Sequence, residues 1–472
     1  MNYAQPKTLN GYNNLAFGFF PTILPASKAT IHVVEGSQVK EKNPKHDERS
    51  IELQYAELLA GNPQYAAREG IIYKWSGSYW KTIAPNQAEK EAFRWLSRSH
   101  PSAANGQKAV ACVRAALNLL DDLPARNDRR AIIGLRNAYL EIMSDGSAVR
   151  IAPDPMHGLT SVLACDLPVS GEGSAYLPKP VPEKSMLWHF LSTSLPDTQV
   201  RDYLQELAGD TLFPNVRFQV AALLKGKGRN GKSIYTRLLA ALHTNVAHMR
   251  LDKLSGFTLL PLLGASLAVV DEVPKAGIDE QTFKTLVSGE TVAVDIKFQN
   301  PVAAPMTAKW VICTNNDQKS SDNSDGFWRR LAIIPFDTQI AEDDVIPELD
   351  RKIIDNELVL FLDWSLIGLQ RLMQRGKLPK APQVVADAKR AAVIASNSVV
   401  AWIDEVGVRI STDFITKDQA FDSYDRWCRF NNLCPLSSPP FWKEMCNHFG
   451  ATLQVIQRTV GDKRPRLVNL FI

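Results

Sequence analysis

Short, largely apolar runs recur through the middle of this chain, at 218–224, 267–270, 309–314 and 331–336. Runs of that length without polar interruption predict strands buried on both faces. Their alternation with helical patterns predicts a parallel-sheet α/β core between Gly226 and Phe336. Just upstream, Val200, Tyr203, Leu204 and Leu207 fall at helical spacing, with Gly209 as the predicted stop. Nearer the amino terminus, 71–75 and 79–83 flank Ser76, Gly77 and Ser78, a hairpin signal. Residues 89–97 and 107–120 predict helices, and 131–133 and 138–142 predict short strands. A proline-rich stretch at 177–182 marks a boundary. Residues 345–395 read as helical. Towards the end, Thr416 is the predicted cap of a helix with Ala420, Phe421, Tyr424, Trp427 and Cys428 inward. A second helix starts at Ser438, Pro439 and Pro440, buries Phe441, Trp442, Met445 and Cys446, and stops at Gly450. Residues 453–460 and 466–471 then flank Gly461 and Asp462 as a hairpin.

These patterns divide the chain into a flexible segment at 1–49, a mixed α/β domain at 50–185, a helical lead-in plus the α/β core at 186–395 and a carboxyl-terminal module at 396–472. Composition changes this picture little. With 472 residues, 45% hydrophobic and 22% charged, the chain has ample material for several cores. No apolar run is long enough to span a bilayer, and the amino terminus lacks the pattern of a signal peptide, so the expected location is cytoplasmic and away from membranes. The six cysteines are scattered without a C-x-x-C pair, against a zinc ribbon or disulfide framework. A net charge of +4 permits nucleic-acid binding without demanding it.

The sharpest chemical signal is Gly226, Lys227, Gly228, Arg229, Asn230, Gly231, Lys232 and Ser233, which fit G-x-x-x-x-G-K-[ST]. Glycines let the backbone turn tightly so that successive N–H groups face phosphate oxygens, and the following helix adds its positive end. Lys232 reaches the β- and γ-phosphates of ATP, and the Ser233 hydroxyl is the expected Mg²⁺ ligand. The plainer reading is a Gly/Lys surface loop. The run at 267–270 ends in Asp271 and Glu272. Asp271 is expected to hold Mg²⁺, directly or through water, and Glu272 to polarise the attacking water; the alternative is a solvated acidic turn. The run at 309–314 ends in Asn315 and Asn316, either a γ-phosphate sensor or an Asx turn. Arg329 and Arg330 precede the last run. A guanidinium supplied by a neighbouring subunit gives planar, bidentate phosphate contact; on its own the pair would be solvated surface.

In this order, the motifs resemble those of the superfamily III helicases, a branch of AAA+ ATPases, and most closely the phage and plasmid primase-helicases that include the poxvirus enzyme. Residues 226–233 match motif A, Asp271 and Glu272 match motif B, and Asn315 matches motif C. Lys284, Ser288, Gly289, Glu290 and Lys297 resemble motif B-prime. Residues 327–336 resemble the arginine-finger region, with Arg330 the better aligned by its spacing to Phe336. Residues 185–209 and 131–139 resemble the accompanying amino-terminal domain. The resemblance implies a hexameric ring with ATP between subunits and Arg330 acting in trans. It implies a hairpin at 292–302 in the central channel, with Lys297 gripping a DNA phosphate and Phe298 packing on sugar or base. Helix, helix, then hairpin reads as a winged helix, as relatives often end; its hairpin carries Arg458, Lys463, Arg464 and Arg466 to meet phosphates, or the module serves protein contacts. Residues 1–185 show no cysteine/histidine cluster or acidic constellation for priming.

Three functions follow for test. The first is an ATP-dependent replicative DNA helicase of a phage, satellite or plasmid-like element, with DNA and primase or loader proteins as partners. The second is an origin-binding initiator whose ATPase is an assembly switch. The third is a small-molecule P-loop kinase.

Overall fold

A computed structural model describes residues 49–126, 130–168, 171–213, 217–273, 278–296, 301–315, 325–459 and 464–472. The segment expected to be flexible therefore lies almost wholly outside the described residues, as do Asn316, Lys297, Phe298 and Lys463.

The described chain opens on helix α1 (Ile51–Ala60), whose first turn is capped by Ser50 Oγ accepting from Leu53 N. A small antiparallel sheet follows: β1 (Tyr65–Arg68), β2 (Ile71–Trp75) and β3 (Trp80–Ile83). The expected hairpin is β2–β3, closed by Trp75 opposite Trp80. Helices α2 (Pro85–Ser99) and α3 (Gly106–Leu119) complete a core of small side chains, Ala88, Ala92, Ala109, Cys112 and Ala116, around Tyr55 and Leu96. Next comes an antiparallel meander, β4 (Ala131–Gly134), β5 (Tyr139–Ile142), β6 (Ala148–Ile151) and β7 (Ala175–Tyr176). Strand alternation sends Ile133, Leu140 and Ile142 to one face and Ile132 and Tyr139 to the other.

Helices α4 (Met186–Ser194) and α5 (Thr198–Leu212) lead to the central sheet. Gly209, expected as a helix stop, lies inside α5. Its lack of a side chain serves packing: a Cβ there would lie 2.4 Å from Leu369 N on α9 (Leu349–Arg375), and one at Gly368 of α9 would lie 2.1 Å from Gln205 O. Tertiary approach, not chain reversal, is the reason for glycine here. Glu206 of α5, buried, pairs with Arg371 and Arg375 of α9.

The central sheet is wholly parallel: β8 (Ala221–Lys225), β9 (Val246–His248), β10 (Leu267–Val270), β13 (Lys309–Thr314) and β14 (Leu331–Pro335), in the order β14-β8-β13-β10-β9. Leu224, Val269, Val311 and Ile334 face one cluster, with α4, α5, α9 and α6 (Lys232–Leu242). Leu223, Val270, Ile312 and Ile333 face another, with α7 (Glu280–Val287). Between α7 and β13 lies an antiparallel pair, β11 (Thr291–Val294) and β12 (Val302–Pro305), in register from Thr291 opposite Pro305 to Val294 opposite Val302. The short α8 (Asp325–Trp328) precedes β14. The first cluster also takes in the meander residues Ile133, Leu140 and Ile142, and Tyr176 donates its hydroxyl to buried Asp363 on α9 at 2.7 Å.

Helix α10 (Gln383–Ser396) packs on β14 and leads into a separate core built from α11 (Ser398–Val406), β15 (Arg409–Thr416), α12 (Lys417–Phe430), α13 (Ser438–Phe449), β16 (Val455–Gln457) and β17 (Arg466–Phe471). Thr416 and Gln419 form a reciprocal capping box at α12. Tyr424 stacks on Phe441 with ring centroids 4.7 Å apart. Cys446, expected inward, is exposed; Phe441, Trp442 and Met445 occupy the buried stripe of α13. Strand β15 has no counterpart in the sequence reading and pairs with β17 across a bulge. Among the described residues no helix is long and apolar enough to cross a membrane.

Candidate nucleotide site

The loop between β8 and α6 is held in a conformation that depends on glycine at two places. Gly228 has φ +100° and Gly231 has φ +90°, and Arg229 between them is also left-handed at +46°. Gly231 lies against α4: a Cβ there would be 2.2 Å from Ser194 Oγ and 2.8 Å from Phe190 Cε2. Ser194 Oγ, buried, has no hydrogen-bond partner among the described residues. Asn230 fastens the loop to the sheet, its Nδ2 donating to Phe336 O at 2.6 Å, while Ile340 N donates to Arg229 O at 3.0 Å.

Lys232 begins α6 and is buried. Its Nζ donates to Gly226 O at 2.7 Å and to Asn230 Oδ1 at 3.0 Å, so the amine closes the loop on itself. Burial pulls its pKa below the ordinary lysine range. Polyanionic oxygens at this position would offset that effect and compete for the same N–H groups. Ser233 is exposed on the next position of the helix.

A cleft of about 600 Å³ opens above the loop. It brings together Gly228, Arg229, Asn230, Gly231, Lys232 and Ser233 with Asp271 from the carboxyl end of β10 and Asn315 from the carboxyl end of β13. Parallel pairing of β8, β13 and β10 is what delivers these side chains to one edge. Asp271 is exposed, with His248 Nδ1 3.6 Å from its Oδ2. Glu272, also exposed, does not line the cleft, and neither do Gly226 and Lys227. Four lining residues were not read as site residues from the sequence: Cys313, whose Sγ lies 3.2 Å from Thr236 Oγ1, and Ile340, Glu342 and Val345.

Arg330 stands elsewhere. Leu331, the first residue of β14, is in register with Ala221, the first of β8, whereas the loop follows Lys225. Four residue steps at ~3.3 Å place roughly 13 Å of strand between the two ends. There the Arg330 guanidinium is half-buried: Nε and Nη2 donate to Ser288 Oγ, and Nη1 donates to Gly326 O. Burial first, then Arg329 beside it, pulls its pKa down, against a smaller opposing effect of Glu290. Arg329 is exposed. On the carboxyl-terminal module, Arg458, Arg464 and Arg466 are exposed.

The donor set suits Mg²⁺ held together with a substrate. A hydroxyl, Ser233, and a carboxylate, Asp271, share the cleft, and no group of three or more His, Cys, Asp or Glu side chains able to hold a metal occurs among the described residues. Mg²⁺ keeps waters and takes one or two protein oxygens plus phosphates, so two such groups suffice.

Residues 224–330 match the model of a protein family of unknown function, DUF5906. Over 190 residues, 37% of this chain, the sequence is 27% identical to "Putative helicase 121R" of Invertebrate iridescent virus 3. The match takes in 20% of that protein, so the chain spans about a fifth of its length. Among solved structures, the chain resembles the apo NrS-1 C-terminal region. One form aligns with a TM-score of 0.45 at 13% identity, over 88% of this chain and 98% of that one. Another aligns at 0.38 and 14% identity, over 61% and 77% respectively.

Proposed function

We propose that the chain is an ATP-dependent DNA helicase of the superfamily III type, working as a hexameric ring in the replication of a phage, satellite or plasmid-like element. The observation that carries the reading is the meeting of Lys232, Ser233, Asp271 and Asn315 around one glycine-dependent loop. The helicase-named viral relative supports the same activity over the stretch it covers.

In this reading the loop amides and Lys232 hold the triphosphate, Ser233 and Asp271 hold Mg²⁺, and Asn315 meets the γ-phosphate. The ion supplies charge neutralisation on the phosphates. Glu272 polarises the attacking water once the cleft closes on a neighbour. Arg330, remote from its own chain's loop, completes the site of the adjacent subunit. Its distance from that loop is also the argument against a monomeric small-molecule kinase. Lys297 and Phe298 grip the DNA strand in the channel, and Arg458, Lys463, Arg464 and Arg466 meet phosphates from a winged-helix module.

The test is hydrolysis of ATP and separation of a forked duplex. Lys232→Ala removes both activities; Arg330→Ala also stops hydrolysis yet still binds ATP. Normal turnover by Arg330→Ala would refute its trans role. The exposed arginines of the carboxyl-terminal module favour one second reading, an origin-binding initiator. It predicts a sequence-specific footprint on duplex DNA without processive unwinding.

A further inference from the structure

We infer that Ser288 is a positioning residue that links the hairpin β11–β12 to Arg330; the inference rests on the proposed roles of that arginine and of that hairpin. The link is a direct contact. Arg330 Nε and Nη2 donate to Ser288 Oγ at 3.0 and 2.6 Å, and Nη1 donates to Gly326 O at 2.6 Å. The polarity of this contact is set by the single proton of the hydroxyl. Ser288 Oγ donates it to Lys284 O, one helical turn back, at 2.8 Å. The oxygen lone pairs therefore face the guanidinium.

A guanidinium carries five N–H groups. Among the described residues these contacts engage one on each nitrogen, which leaves one N–H on Nη1 and one on Nη2, adjacent donors that can act together as a fork. Such a fork matches two oxygens of a phosphate. Ser288 thus fixes the plane of the guanidinium without using the pair of donors that a nucleotide would need.

Ser288 also stands at a junction. It is the C-cap of α7, whose Phe283, Leu286 and Val287 are anchored in the core. The chain then turns at Gly289, φ +74°, and β11 begins at Thr291. Glu290 N donates to Thr285 O, and Met306 N, just beyond β12, donates to Glu290 O, both at 3.3 Å. A displacement of the hairpin reaches the 288–290 turn before it reaches the fixed helix. A DNA strand gripped by the hairpin therefore moves the acceptor that aims Arg330. DNA binding and phosphate cleavage are coupled through one hydroxyl.

The experiment compares the full-length wild type, Ser288→Ala and Ser288→Thr. ATP turnover is measured with and without a single-stranded oligothymidylate, and affinity with a fluorescent ATP analogue. Loss of a hydrogen bond to a charged group lowers kcat of Ser288→Ala on the order of 10–100-fold. KM for ATP and analogue affinity stay within about twofold, because the phosphate loop is untouched. Stimulation by the oligonucleotide disappears, and Ser288→Thr, which keeps the hydroxyl, restores both turnover and stimulation. Wild-type turnover with normal stimulation in Ser288→Ala would overturn the link alone. So would equal impairment of Ser288→Ala and Ser288→Thr, which would assign the effect to packing. A wild-type chain that hydrolyses no ATP would overturn the nucleotide reading itself, and the link with it.

Discussion

Replacing Gly231 with alanine sets two costs against the 226–233 loop and its proposed hold on ATP, and they can be separated. Gly231 has φ +90°, where an L-residue is strained by on the order of 1–2 kcal/mol. The added methyl would also sit 2.2 Å from Ser194 Oγ and 2.8 Å from Phe190 Cε2, both buried on α4. Forcing a methyl into a filled space costs a further 1–3 kcal/mol or so. The total of roughly 2–5 kcal/mol corresponds to a loss of about 30-fold to several thousand-fold in affinity for ATP. Gly228 provides the control. Its φ is +100°, but a Cβ there meets nothing within 4 Å. Gly228→Ala therefore incurs strain only, about 5–30-fold. The assay is anisotropy of a fluorescent ATP analogue, with thermal unfolding followed in parallel to show that each variant folds. Gly231→Ala binds at least about fivefold more weakly than Gly228→Ala, and adding Ser194→Gly recovers part of the difference. Equal losses at the two glycines, or no recovery, would refute the claim that α4 braces the loop.

Three further outcomes concern the scaffold. Lys309 and Asp210 form an ion pair at 2.7 Å with side chains only 6% and 7% exposed, and burial pushes the Asp210 carboxyl above its usual range. Lys309→Met strands that carboxyl and lowers unfolding free energy by about 3–5 kcal/mol in urea titration, while Asp210→Leu added to it restores stability; an unchanged midpoint in the single variant would count against the pair. His243 is buried between Ser266 and Thr211, and burial holds its pKa down at about 4. The unfolded chain binds that proton below about 6.5, so stability is complete above that pH and falls towards pH 4 by up to roughly 3 kcal/mol, then changes no further; His243→Gln flattens this part of the pH profile, and an identical slope would exclude His243 as its source. Gly368→Ala wedges α5 and α9 apart at Gln205 O and costs about 1–3 kcal/mol; an unaltered Tm would show that the helices have slack.

The loop from Gly226 to Ser233 was legible in the sequence because its requirements are local: glycines at positive φ, a lysine at a helix start, a buried strand before it. The buried strands β10, β13 and β14 were legible because a parallel sheet covered on both faces demands unbroken apolar runs. Strands β1 and β6 had no counterpart in the sequence reading. Strand β15 mixes exposed and half-buried positions across a bulge, so alternation fails there. Gly209 shows the limit of local reasoning, since only the position of α9 explains it. Cys446 failed for a related reason: helical spacing alone does not set the width of a buried stripe. Arg330 was singled out by its spacing to Phe336, and its separation from the loop emerges only from strand register.

The meander β4–β7 and the helices around the 226–233 loop are not sealed off from each other. Ile133, Leu140 and Ile142 lie in the same apolar cluster as Leu187, Leu204, Tyr235 and Phe361, and Tyr176 is tied to Asp363 across it. Joining residues 186–395 to a foreign upstream partner at 185/186 would leave an oily seam bare on both pieces. Either stretch made without the other would therefore turn that apolar face to water and lose solubility before it lost any single contact.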